Sequence, residues 1–333
     1  MKPTIKQKVL RALTFTLLAT AGLAAALTVA VAVLERRTHD APLPDLHAST
    51  DPAVIARGRY LVEGPAHCVG CHADPEHRAV VGEAVPLSGG MAFHLPIGTV
   101  RPANITPDAE TGIGRLSDGQ IARALRYGVR RDGRALAPFM PFAGLSDEDL
   151  TAIISYLRAQ PPERHEVQPR ALNPLGHAVV AFLLRPAGPD GPVPRSVPAQ
   201  ASAEYGRYLV HSVANCAGCH TRRNLATGAF TAPALSGGQP LVSHSHPGLK
   251  FVTPNLTNEP RTGRIASWPE DLFVARFRMA RGAEGSPMPW SSFGRLTDGD
   301  LQAIYRYLRT VPGVVNDTGE SVRGPAAPRV AAQ

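Results

Sequence analysis

A chain of 333 residues is long enough for two or three domains of ordinary size. Its 44% hydrophobic share can fill their cores, but Gly and Pro together make about a fifth of the chain against a usual ~12%, which excludes a long coiled coil or a β-solenoid. Runs rich in Val, Ile and Tyr are scarce. The composition therefore predicts a mainly α fold of short helices joined by long ordered loops, with something other than secondary structure organising those loops.

In chain order, residues 1–11 carry Lys2, Lys6, Lys8 and Arg11 and no acid, a cytoplasmic n-region by its charge. The run 12–34 that follows is uncharged over 23 residues. As a helix it spans roughly 34 Å, enough for a bilayer core of about 30 Å. Ala30-Val31-Ala32 would suit a signal peptidase, but the run is longer than a usual signal h-region, which favours an uncleaved transmembrane anchor. The rest of the chain is then expected on the periplasmic side of the inner membrane, with a single pass. Arg36 and Arg37 follow the run and weaken that bias slightly. Beyond the n-region the formal charge of +8 drops to +4. That excess fits either a solvated Arg-rich surface or a docking face for an acidic redox partner. No basic cluster interleaves with aromatics, so nucleic-acid binding is not expected.

A first domain is expected over 51–160. Asp51-Pro52 starts a helix to about Glu63, Ser117-Asp118 caps one through Tyr127 with Ile121, Ala124 and Leu125 on one face, and Ser146 caps one with acids in its first turn that Pro161-Pro162 stops. Between the first two helices lies Cys68-Val69-Gly70-Cys71-His72. Residues 161–200 hold nine prolines and read as a stiff linker, its apolar run Ala178–Leu184 packing on a domain surface. A second domain, 201–312, repeats the pattern with Ser267 and Thr297 as caps, Pro312 as the stop and Cys216-Ala217-Gly218-Cys219-His220 as its cysteine motif. The tail 313–333 is small and polar and expected to be disordered.

Cys-x-x-Cys-His is the signature of covalent c-type haem attachment. Two thiols three positions apart reach both vinyl groups of one porphyrin, and the next residue turns its imidazole to the iron. A zinc ribbon would place its pairs about 15–20 residues apart, not 145. A thioredoxin-like pair needs a βαβ context, and disulfides, though possible in an exported protein, leave both histidines unexplained. The expected cofactors are two covalently bound haem c groups, held by Cys68, Cys71, Cys216 and Cys219, with His72 and His220 as proximal iron ligands.

An internal repeat selects the opposite ligands. At an offset of 148, Gly58-Arg59-Tyr60-Leu61-Val62 falls on Gly206-Arg207-Tyr208-Leu209-Val210, Leu87-Ser88-Gly89-Gly90 on Leu235-Ser236-Gly237-Gly238, and Met140-Pro141-Phe142 on Met288-Pro289-Trp290. Asn104-Ile105-Thr106 meets Asn255-Leu256-Thr257, and Tyr156-Leu157-Arg158 meets Tyr307-Leu308-Arg309, at an offset of 151. Of the five methionines, Met140 and Met288 alone are paired by the repeat, each 68 residues after its histidine. They are the expected axial ligands, in proline-stiffened loops. His94, His244 and His246 have no counterpart and read as exposed loop histidines with at most a weak surface metal site. Position relative to the motif suggests that Pro86 or Pro233 offers a carbonyl to the proximal imidazole.

Both cysteine motifs, Asn104-Ile105-Thr106-Pro107-Asp108, Thr111-Gly112-Ile113-Gly114, the Met-Pro loops, Leu145–Leu150 and Tyr156-Leu157-Arg158 together resemble the membrane-anchored dihaem cytochromes c. These are built from two tandem class I cytochrome c domains and are similar to cytochrome subunits of bacterial periplasmic dehydrogenases oxidising alcohols, sugars, sugar acids or N-heterocycles. The resemblance covers roughly residues 51–312. It implies His/Met ligation and crossing of each domain's N- and C-terminal helices, with Gly58 and Gly206 at the contact. It implies electron transfer, from a periplasmic dehydrogenase or the quinol pool to a cytochrome or terminal oxidase, and no catalytic residue. A dihaem cytochrome c peroxidase is the alternative. It needs one iron with a labile position, against which the symmetric methionines argue. A haem-based sensor is weaker still, since no signalling domain accompanies the motifs.

Overall fold

The computed structural model describes residues 4–73, 85–140, 142–224, 228–243, 245–246 and 248–323. The anchor segment is one helix, α1 (Ile5–Leu34), opened by a capping box between Thr4 and Gln7, and none of its residues is buried by the rest of the chain. It extends to Ile5 rather than starting at residue 12, so Lys6, Lys8 and Arg11 lie on its first turns, suited to headgroups rather than hydrocarbon. Among the described residues it is the one helix long and apolar enough to cross a membrane.

The first unit opens with α2 (Pro52–Glu63), where Asp51 accepts from the Ala53 amide and Pro52 occupies N1. The short α3 (Val69–His72) holds the first cysteine motif. A hairpin of β1 (Phe93–Leu95) and β2 (Gly98–Val100) follows, then α4 (Asp118–Tyr127), bracketed by a Ser117–Gln120 capping box and by Gly128 in the left-handed conformation. Its inward residues are Ile121, Ala122 and Arg126; Ala124 and Leu125 stay half-buried. The unit closes with α5 (Asp147–Ala159), capped by Ser146.

Residues 161–200 are more than a spacer. They contribute β3 (Ala171–Leu172), which pairs antiparallel with β2 to complete a three-stranded sheet, and α6 (Pro174–Phe182), which packs on the last turn of α1. The second unit runs α7 (Ala203–Tyr208), a π-turn over Leu209–Val213, α8 (Cys216–His220), a hairpin of β4 (Pro240–Val242) and β5 (Lys250–Val252), α9 (Glu270–Arg278), α10 (Trp290–Phe293) and α11 (Asp298–Thr310). Thr297 caps α11 as expected, but Ser267 caps nothing. The turn at 264–267 delays α9, whose N-cap position is Pro269, without a side chain to accept a hydrogen bond. The segment 313–323 is ordered, not a loose tail, and its β6 (Val322–Arg323) pairs with β5 as β3 does with β2. Both recruited strands are two residues long, too short to show a period-2 pattern.

Each unit is built on a crossing of its first and last long helices, α2 on α5 and α7 on α11. Glycine makes the approach possible: a Cβ on Gly58 would overlap the Ala152 carbonyl, and one on Gly206 the Ala303 carbonyl. The crossings bury Leu61, Leu150, Leu209 and Leu301 completely, in a single core cluster that runs through both units. Arg57 forks onto Asp149 at 2.8 and 3.0 Å. It also reaches the Tyr205 hydroxyl of the other unit, while Arg295 returns an ion pair to Glu63 at 3.0 Å.

Candidate haem-attachment sites

In both units the thiols and the imidazole sit on one short helical turn at the foot of the helix crossing. Cys68 caps α3, and Cys71 and His72 lie within it; Cys216, Cys219 and His220 lie within α8. The residue before each motif, His67 (φ 43) or Asn215 (φ 49), is in the left-handed conformation, which turns the chain sharply into the motif. No disulfide joins any of the four cysteines, so the disulfide reading falls. Among the described residues no group of three or more His, Cys, Asp or Glu could hold a metal ion, so the zinc reading has no ligand set. Burial pushes the Cys68 and Cys216 thiols up to about 12, with the neighbouring cysteine adding to the rise, so neither is a solvent-activated nucleophile.

The imidazoles are held by backbone. His72 Nδ1 donates to the Ala103 carbonyl at 2.8 Å, and His220 Nδ1 to the Pro254 carbonyl at 3.0 Å. The carbonyl acceptors expected at Pro86 or Pro233 are thus corrected to Ala103 and Pro254, which stand one residue before Asn104 and Asn255. A carbonyl can only accept, so Nδ1 carries the proton and Nε2 keeps its lone pair. Burial holds both histidines below the ordinary value against the opposing pull of those hydrogen bonds, so both rings are neutral at pH 7.

The repeated Leu-Ser-Gly-Gly and Asn-x-Thr stretches build the wall that presents those carbonyls. The Gly89 and Gly237 amides donate to the carbonyls of His72 and His220 at 2.8 and 2.7 Å. Both glycines have positive φ and lie so close to the 103 and 254 backbone that a Cβ would collide with it. Asn104 then accepts from the Thr106 amide and donates to the Glu163 carbonyl at 2.7 Å; Asn255 does the same with Thr257 and with Val314 at 2.8 Å. The "linker" and the "tail" are therefore pinned behind the imidazole supports, by residues whose role had no signal beyond their repetition.

Met140 and Met288 both pack against the core cluster, whereas Met279 is 62% exposed. Their loops are alike: the Phe142 amide donates to the Met140 carbonyl at 3.0 Å and the Trp290 amide to Met288 at 2.8 Å. Trp290 is braced by the Arg276 guanidinium 3.9 Å from its ring centroid. His94 is exposed on β1, not in a loop, and contacts Thr99; His246 contacts Glu284; His244 lies outside the described residues. The donor set fits haem c in each unit: two thiols on one helical turn and an adjacent imidazole with its Nδ1 tied off.

The chain matches no family model. It is 32% identical over 295 residues to the alcohol dehydrogenase (quinone) cytochrome c subunit of Komagataeibacter europaeus, covering 83% of this chain and 60% of that protein. It is 30% identical over 312 residues to the fructose dehydrogenase cytochrome subunit of Gluconobacter japonicus, covering 90% and 61%. A "diheme cytochrome c-type" of Cereibacter sphaeroides is 28% identical over 305 residues, 89% of this chain and 98% of the relative. The chain spans about 60% of the length of these two dehydrogenase subunits. It is homologous to cytochrome c subunits of dehydrogenases and to a dihaem c-type cytochrome, and none of these names favours the peroxidase alternative.

Proposed function

We propose that this homologue of dehydrogenase cytochrome c subunits is a membrane-anchored dihaem electron carrier, with two class I cytochrome c domains at 51–160 and 201–312 on the periplasmic side of the inner membrane. Haem c supplies a one-electron ferrous/ferric couple when bound. Cys68 with Cys71, and Cys216 with Cys219, hold it covalently through thioethers. His72 and His220 offer Nε2 to the iron, while Ala103 and Pro254 fix each ring's tautomer and orientation. Met140 and Met288 supply the opposite axial ligands. With a histidine and a methionine to hold each iron, the chain would leave no place for a substrate on the metal and would act as a carrier rather than an enzyme. Its donor is a dehydrogenase or quinol and its acceptor another cytochrome or a terminal oxidase.

The observation that carries this reading is the duplicated support, in which each motif histidine gives Nδ1–H to a backbone carbonyl. The test is a haem count per chain with absorption spectra of the reduced protein, with and without carbon monoxide. Two haems and an unchanged spectrum are expected. One haem, or carbon monoxide bound at either iron, would overturn the ligand assignment.

A further inference from the structure

Five guanidinium groups from four separate segments converge at the outer end of the anchor. Arg37 follows α1, Arg130 and Arg134 come from the turn after α4, Arg170 precedes β3 and Arg185 follows α6, and all line one cleft with Glu35. Among the described residues, two carboxylates answer them. Glu35 pairs with Arg170 at 2.8 Å, and Asp132 pairs with Arg134 at 2.6 Å and more loosely with Arg130 at 3.7 Å. Arg185 donates to the neighbouring Leu184 carbonyl, and among the described residues no carboxylate pairs with it or with Arg37. The cleft thus holds a surplus of fixed positive charge at the outer end of a membrane-spanning segment, where the positive-inside tendency disfavours it.

The surroundings say what answers that charge. The floor of the cleft includes Leu34 and, from α6 and its end, Val180, Ala181 and Leu184. Beside it α6 and the residue after it leave Leu175 58%, Phe182 41% and Leu183 48% exposed, next to α1, none of whose residues is buried. An apolar helix lying at the end of a spanning helix marks the interfacial plane of a bilayer. A ligand there is amphiphilic, with an anionic head at the guanidinium groups and chains beside α1 and α6. Planar guanidinium groups match phosphate oxygens bidentately.

We propose that this cleft binds the phosphate of an anionic phospholipid of the outer leaflet, which docks the first unit against the membrane in a defined orientation. The proposal rests on the reading of α1 as a membrane anchor. Arg37 and Arg185, free of carboxylates, contact the phosphate, while Glu35 and Asp132 hold Arg170 and Arg134 in place around it. The otherwise unexplained Arg36-Arg37 and the apolar 178–184 run then have one joint role.

The full chain is purified in non-ionic detergent and titrated with phosphatidylglycerol, phosphatidylcholine and inorganic phosphate under native mass spectrometry. One phosphatidylglycerol is expected per chain, selected over phosphatidylcholine. The double variant R37Q/R185Q binds it about 30-fold more weakly, from ~1 kcal/mol for each arginine near the surface, whereas R37K/R185K, which keeps the charge but not the bidentate fork, binds between the two. The variant R115Q/R207Q removes the same charge from exposed positions outside the cleft and binds as the parent does. Equal binding of both lipids, equal loss in R115Q/R207Q, or displacement by equimolar inorganic phosphate would each overturn the proposal. The intact mass of the purified chain separates the two ways of failing. A chain cut near Ala32 overturns the anchor and with it this site, whereas an uncut chain without lipid selectivity overturns the cleft alone.

Discussion

Tyr60 and Tyr208, equivalent by the internal repeat, each cross to the other unit and do the same thing there. The Tyr60 hydroxyl donates to Asp300 in the first turn of α11 and accepts from the Thr297 amide at 3.0 Å. The Tyr208 hydroxyl donates to Asp149 in the first turn of α5 at 2.8 Å and accepts from the Ser146 amide at 3.1 Å. The units therefore meet by a pseudo-two-fold exchange, each tyrosine serving the N-cap of its partner's last helix. Burial, then the facing aspartate, raises both phenols, so neither ionises in the physiological range.

Removing either hydroxyl leaves a buried aspartate and an amide short of a partner. Tyr60→Phe and Tyr208→Phe are each expected to lower the unfolding free energy by about 1–3 kcal/mol. Urea denaturation of the holoprotein measures it, and an unchanged midpoint in both variants would refute the latch.

The glycines at the two crossings make a prediction of sign. On an exposed helix, Gly→Ala stabilises by up to ~1 kcal/mol. Here Gly58→Ala and Gly206→Ala force the helices apart and cost about 1–3 kcal/mol or more. Gly299, in the first turn of α11 with no heavy atom closer than the Thr297 hydroxyl at 3.9 Å, is the control, and Gly299→Ala is neutral or slightly stabilising. Thermal unfolding of the three variants decides it; a stabilised Gly58→Ala would contradict the crossing.

Ligand exchange at one unit should leave the other untouched. On the proposed ligation, Met140→His would convert one site from His/Met to bis-His, which lowers its reduction potential. A redox titration is expected to show one of the two midpoints shifted negative and the other unchanged, with the haem count still two per chain. The companion Cys68→Ala/Cys71→Ala variant is expected to carry one covalent haem per chain, by absorbance and intact mass.

His67 lies edge-on to Phe293 of the other unit, with ring centroids 5.5 Å apart, and burial depresses its basicity against a weaker hydrogen bond to the Pro65 carbonyl. A base whose folded pKa is below its unfolded value contributes stability that is present above the unfolded value and lost as pH falls through that window. Stability of the parent should decline below about pH 6.5. Asn occupies the equivalent left-handed position at 215, so His67→Asn keeps the backbone and is expected to flatten this decline between pH 7 and 5. An identical pH profile for both proteins would exclude His67 as the titrating group.

How much of this was legible beforehand depended on range. The cysteine motifs and the caps at Asp51, Ser117, Ser146 and Thr297 are written in a few adjacent residues, because thioether spacing and N-caps each demand particular side chains at fixed positions, whereas the two glycines at the helix crossings were expected only through the family resemblance. The repeat singled out Met140 and Met288, each 68 residues after its motif histidine, and both pack against the core cluster. Ser267 misled because a capping side chain says nothing about a turn that defers the helix to Pro269.

Sequence by itself determined the chemistry that a short stretch of chain can encode: where thiols, imidazoles and helix starts fall, and that the unit occurs twice. Tertiary structure alone decided which carbonyls hold the imidazoles, which residues of the prolyl segment and the tail become edge strands, and where Tyr60, Tyr208 and the five clustered arginines find their surroundings. Backbone carbonyls carry no side-chain signature, and strands of two residues show no alternation. The partners that meet in space stand anywhere from about 30 to about 240 positions apart, joined only when the helix crossings bring them together.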